Sequence, residues 1–404
     1  MAKIEKISCH KIVNSRAQWT IETHVTLNNG AVGIQTVPEG ASKGTRESIY
    51  VSPDAAVTLI ENEIATLLKG VDVADQLKID HKMLEYDGTP NKSKLGGNSI
   101  LSVSLASAKA AAQSQGINLY EHLFSLQTVS NTMGFPTPVF NILNGGKHAK
   151  NDLSFQEFMV IPSRSMNIQH AIEAGITVYK QLEEELIKNG LSTGVGDEGG
   201  FAPSGLTVRK ALDLIKKVAN QSYKVGESIF LGSDVASDSF RNELDYDIRE
   251  ESLHLSQAEL QAYYLNLLND YELIYLEDPF YETHYSAWQS LYEKVSSRLM
   301  LVADDLTVTN PTRLKQLIPD KLANAVIVKP NQVGTLSETL DFMKTAKDAG
   351  MSLIVSHRSG DTAEDTFIAD LAYATNADFM KAGAPARGER VVKYNRLLEI
   401  FEQV

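Results

Sequence analysis

In the later part of the chain, one apolar run after another stops on an ionisable side chain. Ile229-Phe-Leu-Gly-Ser ends in Asp234, Leu273-Ile-Tyr-Leu in Glu277-Asp278, and Leu299-Met-Leu-Val-Ala in Asp304-Asp305. Ala325-Val-Ile-Val ends in Lys329, Ser352-Leu-Ile-Val-Ser in His357-Arg358, and Phe379-Met in Lys381. From Glu277 onward the stops fall roughly 25 residues apart, about one strand–helix unit each. Ionisable groups at the carboxyl ends of successive parallel strands converge on one mouth, where βα-barrel enzymes keep their chemistry.

Three of these groups, Asp234, Glu277 and Asp304, would place carboxylates around one hard cation such as Mg2+. Any one acid alone is as well explained as a cap on the following helix. Three in register, followed by a strand-end lysine, favour a shared site. Strand side chains alternate faces, so one of each pair Glu277-Asp278 and Asp304-Asp305 points inward, and spacing does not say which. Lys329, ahead of Pro330-Asn331, is either an exposed strand-end lysine or a general base. The second role needs its amine neutral near pH 7 against an ordinary pKa of ~10.4, a shift that burial and neighbouring cations favour. His357-Arg358-Ser359-Gly360 combines a guanidinium fork, a hydroxyl and backbone N–H groups, which suits a phosphate. Lys381-Ala-Gly-Ala-Pro-Ala-Arg387 adds a second anion contact.

Gly194-Val-Gly196-Asp-Glu-Gly199 has the G-x-G-x-x-G spacing but not its context. A dinucleotide fingerprint follows a strand and opens a helix. Here Tyr179–Asn189 before it is charged and helical, so the glycines are better read as a loop presenting Asp197 or Glu198. Asn144-Gly-Gly-Lys-His148 and Gly40-Ala-Ser-Lys-Gly44 are likewise glycine-flanked polar loops.

The elements that must carry these groups divide at Thr132–Pro138, with Gly134, Pro136 and Pro138. Residues 1–135 are expected to form a smaller α+β capping domain and residues 136–404 a βα barrel or an open parallel sheet. In the first part Ile21, Thr23, Val25 and Leu27 alternate with Glu22, His24 and Thr26, a half-buried strand. Asn28-Asn29-Gly30 turns it back into Ala31–Val37. Ser52-Pro53-Asp54 starts a helix with Val57, Ile60, Ile64, Leu67 and Leu68 on one face, stopped by Gly70. The Ala-rich stretch Asn98–Gly116 is a second helix.

The 404 residues carry a net charge of −13, so neither nucleic acid nor an anionic membrane is an expected partner. The single cysteine, Cys9, excludes an internal disulfide and fits a reducing compartment. With no leader-like apolar segment at the start and no membrane-length apolar run, the expected location is cytoplasmic.

Taken together, these strings resemble the enolase family. They are Gly40-Ala-Ser42, Leu143-Asn-Gly-Gly-Lys-His148, Gln156-Glu157-Phe-Met, Gly196-Asp-Glu198-Gly-Gly-Phe-Ala-Pro203, Asp234-Val-Ala-Ser and Glu277-Asp-Pro-Phe. Asp304-Asp-Leu-Thr-Val-Thr-Asn-Pro, Lys329-Pro-Asn-Gln, Ser356-His-Arg-Ser-Gly360 and Lys381-Ala-Gly-Ala-Pro-Ala-Arg-Gly-Glu-Arg390 complete them, in the family's order. The resemblance implies a small α+β domain and a modified eight-stranded TIM-like barrel whose second strand is antiparallel. It also implies Mg2+-dependent, reversible dehydration of 2-phospho-D-glycerate to phosphoenolpyruvate in glycolysis. A lysine base working with Mg2+ is general to sites of this superfamily.

Carried over by position, Lys329 would remove the C2 proton, and Glu198 would help the C3 hydroxyl leave, with Glu157 beside it. Asp234, Glu277 and Asp304 would hold a first Mg2+, and Ser42 would help bind a second that arrives with substrate. Arg358 and Ser359 would bind phosphate and Lys381 the carboxylate, while His148, Gln156 and His357 complete the substrate shell. A homodimer or an octamer of dimers is implied as well.

The chain departs from the family pattern at Asn14-Ser-Arg-Ala-Gln-Trp-Thr20, where Asp-Ser-Arg-Gly-Asn-Pro-Thr is usual. This bears on the N-terminal turn and a subunit contact rather than on the chemistry. Glu39 and Lys43 replace a Ser and a Thr, and Lys150 replaces a Gly, so loop closure is expected to be altered by charge. Two other functions compete: a racemase or cycloisomerase acting on a phosphate-free carboxylate, and a non-enzymatic binding paralogue. The phosphate-type loop speaks against the first and the intact acid, base and metal groups against the second.

Overall fold

The computed structural model describes residues 1–40, 44 and 46–404. Ser42 and Lys43, expected in the second metal site and in loop closure, lie outside the described residues. The chain opens with an antiparallel sheet of β1 (Ile4–Val13), β2 (Trp19–Leu27) and β3 (Val32–Thr36), in that order. The alternation expected of β2 is present: Ile21, Thr23, Val25 and Leu27 are buried, whereas Glu22, His24 and Thr26 are only partly so. Strand β1 has no such clean period, because its register shifts between Ile4 and Lys6. The long helix Gly97–Gln115 lies against β2 and β3. Its Ala and Ser side chains allow a close approach, and a Cβ on Gly33 would stand 1.9 Å from the Ala106 carbonyl oxygen.

The first helix starts as its sequence dictates, with the Ser52 side chain accepting from the Ala55 N–H and Pro53 at the first helical position. It does not run as one regular helix. A π-turn at Ile60–Ile64 separates Pro53–Leu59 from Ala65–Leu68, leaving Ile60, Ile64 and Leu68 buried.

The second part is a closed barrel. Its strands are β4 (Thr137–Asn144), β5 (Glu157–Pro162) and β6 (Ile229–Asp234). A small sheet of β7 (Arg241–Asn242), β8 (Asp245–Ile248) and β9 (Leu253–Leu255) interrupts the ring's sequence. The barrel resumes with β10 (Leu273–Glu277), β11 (Met300–Ala303), β12 (Ala325–Val328), β13 (Ser352–Ser356) and β14 (Phe379–Lys381). Around the ring the order is β10-β11-β12-β13-β14-β4-β5-β6. Strand β5 is antiparallel to both β4 and β6, and every other neighbouring pair is parallel. Val139, Met159, Ile161, Tyr275, Ile327 and Ile354 are among the side chains that fill its interior, so the barrel is a packed core and not a pore. No helix among the described residues is long and apolar enough to cross a membrane.

Candidate active site

Each strand-end group of the sequence stands where its strand delivers it. Asp234 and Glu277 are aligned partners on β6 and β10. Glu157, the first residue of the reversed β5, aligns with Asp234 from the other side, so reversal brings a strand's beginning to the mouth where its neighbours end. Lys381 closes β14 and reaches across the ring. Its ammonium lies 2.9 Å from Asp234, 2.8 Å from Glu277 and 3.2 Å from Glu157. Burial works to lower its pKa, but the Asp234, Glu157 and Glu277 charges outweigh it and hold the amine well above its usual value.

Glu277 is fully buried. Burial first, and then the charge of Asp234, push its carboxyl up to about 8. The Tyr275 hydroxyl donates to Oε2, while Oε1 has no hydrogen-bond partner among the described residues. Asp278, the next residue, lines the same mouth beside Asp304 and Asp305. Its carboxylate accepts the backbone N–H groups of Asp304 and Asp305, each at 3.0 Å, and so braces the end of the next strand. Both members of the pair that spacing left undecided therefore stand at the mouth, Glu277 against Lys381 and Asp278 against the amides of the neighbouring strand's end.

Asp304 accepts from Lys329 on one oxygen and from Gln332 Nε2 at 2.8 Å on the other. Gln332 is itself oriented by the Thr309 hydroxyl at 2.6 Å, which also accepts from the Lys329 backbone N–H. Burial acts to lower the Lys329 amine, but Asp304 overcomes it and raises the pKa. Paired in this way Lys329 is an ammonium, opposite to the neutral state a base requires. Asp304 can serve the amine or a metal ion, and engaging it elsewhere removes the charge that keeps Lys329 protonated.

The expected ligands Asp234, Glu277 and Asp304 line one rim but do not converge on a point, because Lys381 stands between the first two and Lys329 faces the third. Among the described residues, two groups at the mouth have donor atoms within 4.8 Å of one another: Asp278, Asp304 and Asp305, and His148, Glu157 and Glu198. A cation nevertheless suits this rim. Its donors are mainly carboxylate oxygens, several are crowded against like charge, and Glu277 Oε1 and Gln156 Oε1 are buried without partners among the described residues. Gln156 Nε2 also lies 3.4 Å from Asp234.

On the far side of the ring from β12, Glu157 and Glu198 flank His148, whose Nδ1 is 3.6 Å from the first and 3.5 Å from the second. Asn141 on β4 donates to Glu198 at 3.0 Å. The two carboxyls are driven apart. Burial and the charge of Glu198 raise Glu157 well above the usual range. For Glu198 burial pulls upward too, but His148, His357 and Arg390 outweigh it and hold the group ionised. Burial pushes His357 down to about 3, so its imidazole is neutral. Its tautomer follows from its partner. Arg390 donates to Nδ1 at 2.6 Å and cannot accept, so the proton sits on Nε2, 3.4 Å from Glu198.

The glycine-rich loop that brings Glu198 here lies between the helices Ile168–Lys188 and Val208–Ser222, with no strand-to-helix turn. A Cβ on Gly196 would fall 2.6 Å from the His148 carbonyl oxygen, so the glycine serves this close approach. Asp197 points out to Arg16, at 3.0 Å.

Arg358 and Ser359 follow β13 and are both buried. The Arg358 fork holds Glu47 at 2.9 and 3.2 Å and Asn331 at 3.2 Å. The first loop is stapled to this segment by reciprocal backbone bonds between Glu39 and Gly360. Lys150 is exposed. Glu47, Asn141, Thr309, Gln332 and Arg390 all support the site and went unassigned by sequence reasoning. Thr309, Gln332 and Arg390 at least stand in the strings quoted above, whereas nothing local to Glu47 distinguishes it.

Comparison with known protein families agrees with this geometry over almost the whole chain. Residues 4–123 match the enolase N-terminal domain, and residues 132–404 match the enolase C-terminal TIM barrel domain. Enolases are generally Mg2+-dependent lyases that act on a small phosphorylated substrate, and this chain belongs to the enolase family.

Proposed function

We propose that the chain is a glycolytic enolase, a phosphopyruvate hydratase that reversibly dehydrates 2-phospho-D-glycerate to phosphoenolpyruvate and water. One observation carries the reading: Lys329 directly follows β12, and Glu157 with its neighbour Glu198 stands at β5, four places away around the eight-stranded ring. A base and an acid on opposite walls suit removal of a proton from one carbon and of hydroxide from the next.

Lys329 takes the C2 proton, and the electrons of that bond move toward the substrate carboxylate. They then form the C2–C3 double bond as the C3 hydroxyl leaves, protonated by Glu198 to give water. The proton that Glu198 lacks at rest is carried by Glu157 across His148. Lys381 and His148 meet the carboxylate end with Gln156, while Arg358, Ser359 and the neutral His357 meet the phosphate end. Arg358 must exchange Glu47 for the phosphate, which keeps its fork paired in both states. Two Mg2+ ions, the second arriving with substrate, would be held by Asp234, Glu277, Asp304 and Ser42 and supply positive charge against the growing carboxylate charge. The phosphate-type loop supports this reading over a phosphate-free carboxylate substrate.

Residues 1–135 and 136–404 are proposed as the two domains, the assembly as a homodimer or an octamer of dimers, and the location as cytoplasmic. The test is to add 2-phosphoglycerate and Mg2+ and follow the enol absorbance. Wild type should turn over and Lys329→Ala should lose at least about 10²–10⁴ of the rate. Absence of turnover by the wild type with Mg2+ present sinks the assignment.

A further inference from the structure

Away from the barrel mouth, the outer face of the N-terminal sheet carries another gathering of metal-ligand side chains. Glu22 and His24 stand two residues apart on β2 and project from one face, and His10 on β1 is the cross-strand partner of Glu22. The alternation that buries Ile21, Thr23 and Val25 turns these three outward together. His24 Nε2 is 2.8 Å and His10 Nε2 3.4 Å from the same oxygen, Glu22 Oε1. The donor atoms of all three lie within 4.8 Å of one another, and the two rings are 5.4 Å apart between centroids.

We propose that His10, Glu22 and His24 form a binding site for a late first-row divalent cation, Zn2+ by preference. Two imidazoles and one carboxylate make a mixed nitrogen and oxygen set that suits Zn2+ and not Mg2+. Ligands at ~2.0–2.2 Å from a tetrahedral ion stand roughly 3.3–3.6 Å apart. His10 and Glu22 are already there, His24 and Glu22 need open only slightly, and the imidazoles close the remaining gap by side-chain rotation. Side-chain exposures of 13% for Glu22, 31% for His24 and 56% for His10 leave the ion reachable from solvent, with a fourth position for water. Bound there, it ties β1 to β2. No residue of this site belongs to the barrel mouth, so the proposal stands apart from the enolase reading.

The test titrates the full chain with Zn2+ in a large excess of Mg2+, which occupies carboxylate sites at the mouth. One saturable Zn2+ equivalent per chain is expected, raising the Tm by a few degrees as a ligand of the folded state does. His24→Ala and His10→Ala should each weaken Zn2+ by more than the ~10–100-fold typical of losing a group that merely orients a ligand. Co2+ in place of Zn2+ should give visible absorption in wild type that both variants lack. His10→Ala, at the most exposed member, decides the matter should His24→Ala fold poorly. No saturable binding, an affinity unchanged in both variants, or binding lost only in Glu277→Gln would overturn the proposal.

Discussion

Lys381 shares one ammonium among Glu157, Asp234 and Glu277 almost wholly out of water. Removing it leaves crowded carboxylates with no compensating charge, and breaking a buried pair by deleting one partner costs roughly 3–5 kcal/mol. Lys381→Met should therefore lose about that much stability at pH 8 by urea unfolding. The loss should shrink at pH 5, where Glu277, already pushed up to about 8, is protonated in the folded state. An equal loss at both pH values would rule out charge crowding as the cause. At this scale the sequence located the strand-end groups but not their states. Asp278 and Glu277 have the same spacing claim, and their partners distinguish them: the amides of Asp304 and Asp305 for the first, Lys381 and Tyr275 for the second. Likewise the base role of Lys329 needs a neutral amine, which burial and neighbouring cations favour, yet Asp304 outweighs them and keeps it charged.

At the scale of elements, the runs ending at Asp234, Glu277 and Lys381 are strands with those bounds, and Lys329 and His357 directly follow theirs. They were legible because fully buried parallel strands read as short apolar runs. Strand β1 was not, since its bulge breaks the period, and no ionisable group ends β4 to mark it. The direction of β5 came only through the family resemblance, because Glu157-Phe-Met-Val-Ile-Pro162 is buried throughout and reads as the same kind of apolar run as its parallel neighbours. The turn at Asn14–Gln18 is the chief departure from the family. Ala17, where a glycine is usual, sits at φ 56°, a left-handed conformation that disfavours a side chain. Around it Ser15 donates to the Ser359 carbonyl and Arg16 pairs with Asp197, so the turn touches two loops of the site. Ala17→Gly should stabilise the chain by about 1 kcal/mol, read as a higher urea midpoint at unchanged slope. A lower midpoint would mean that the surrounding contacts favour alanine.

For the whole molecule, one contact between the two parts is made by a buried acid. Asp80, in the helix Gln76–Asp87, accepts from the backbone N–H and hydroxyl of Ser337 at 3.0 and 2.6 Å, at the start of the barrel helix Leu336–Asp348. Burial, opposed by these hydrogen bonds, lifts its carboxyl from 3.8 to about 6. The folded state thus holds the proton more tightly than the unfolded chain. The contribution to stability is fully present below about pH 4 and is lost as the pH rises through about 6. A shift of this size corresponds to about 3 kcal/mol. Asp80→Asn cannot titrate, so the stability of wild type relative to this variant should fall by up to that amount between pH 4 and 7. A difference independent of pH would show that Asp80 is ionised throughout.

The reversal of β5 has one more consequence, for assembly of the ring. Consecutive parallel strands must be joined by a crossover that returns the chain to its starting end, whereas β4 and β5 are joined directly by residues 145–156 at the mouth. Closing so short a link costs less chain entropy than closing any other adjacent pair in the barrel. The segment that carries His148 and Gln156 into the site is therefore also the ring's least costly closure, and lengthening it would alter chemistry and folding together.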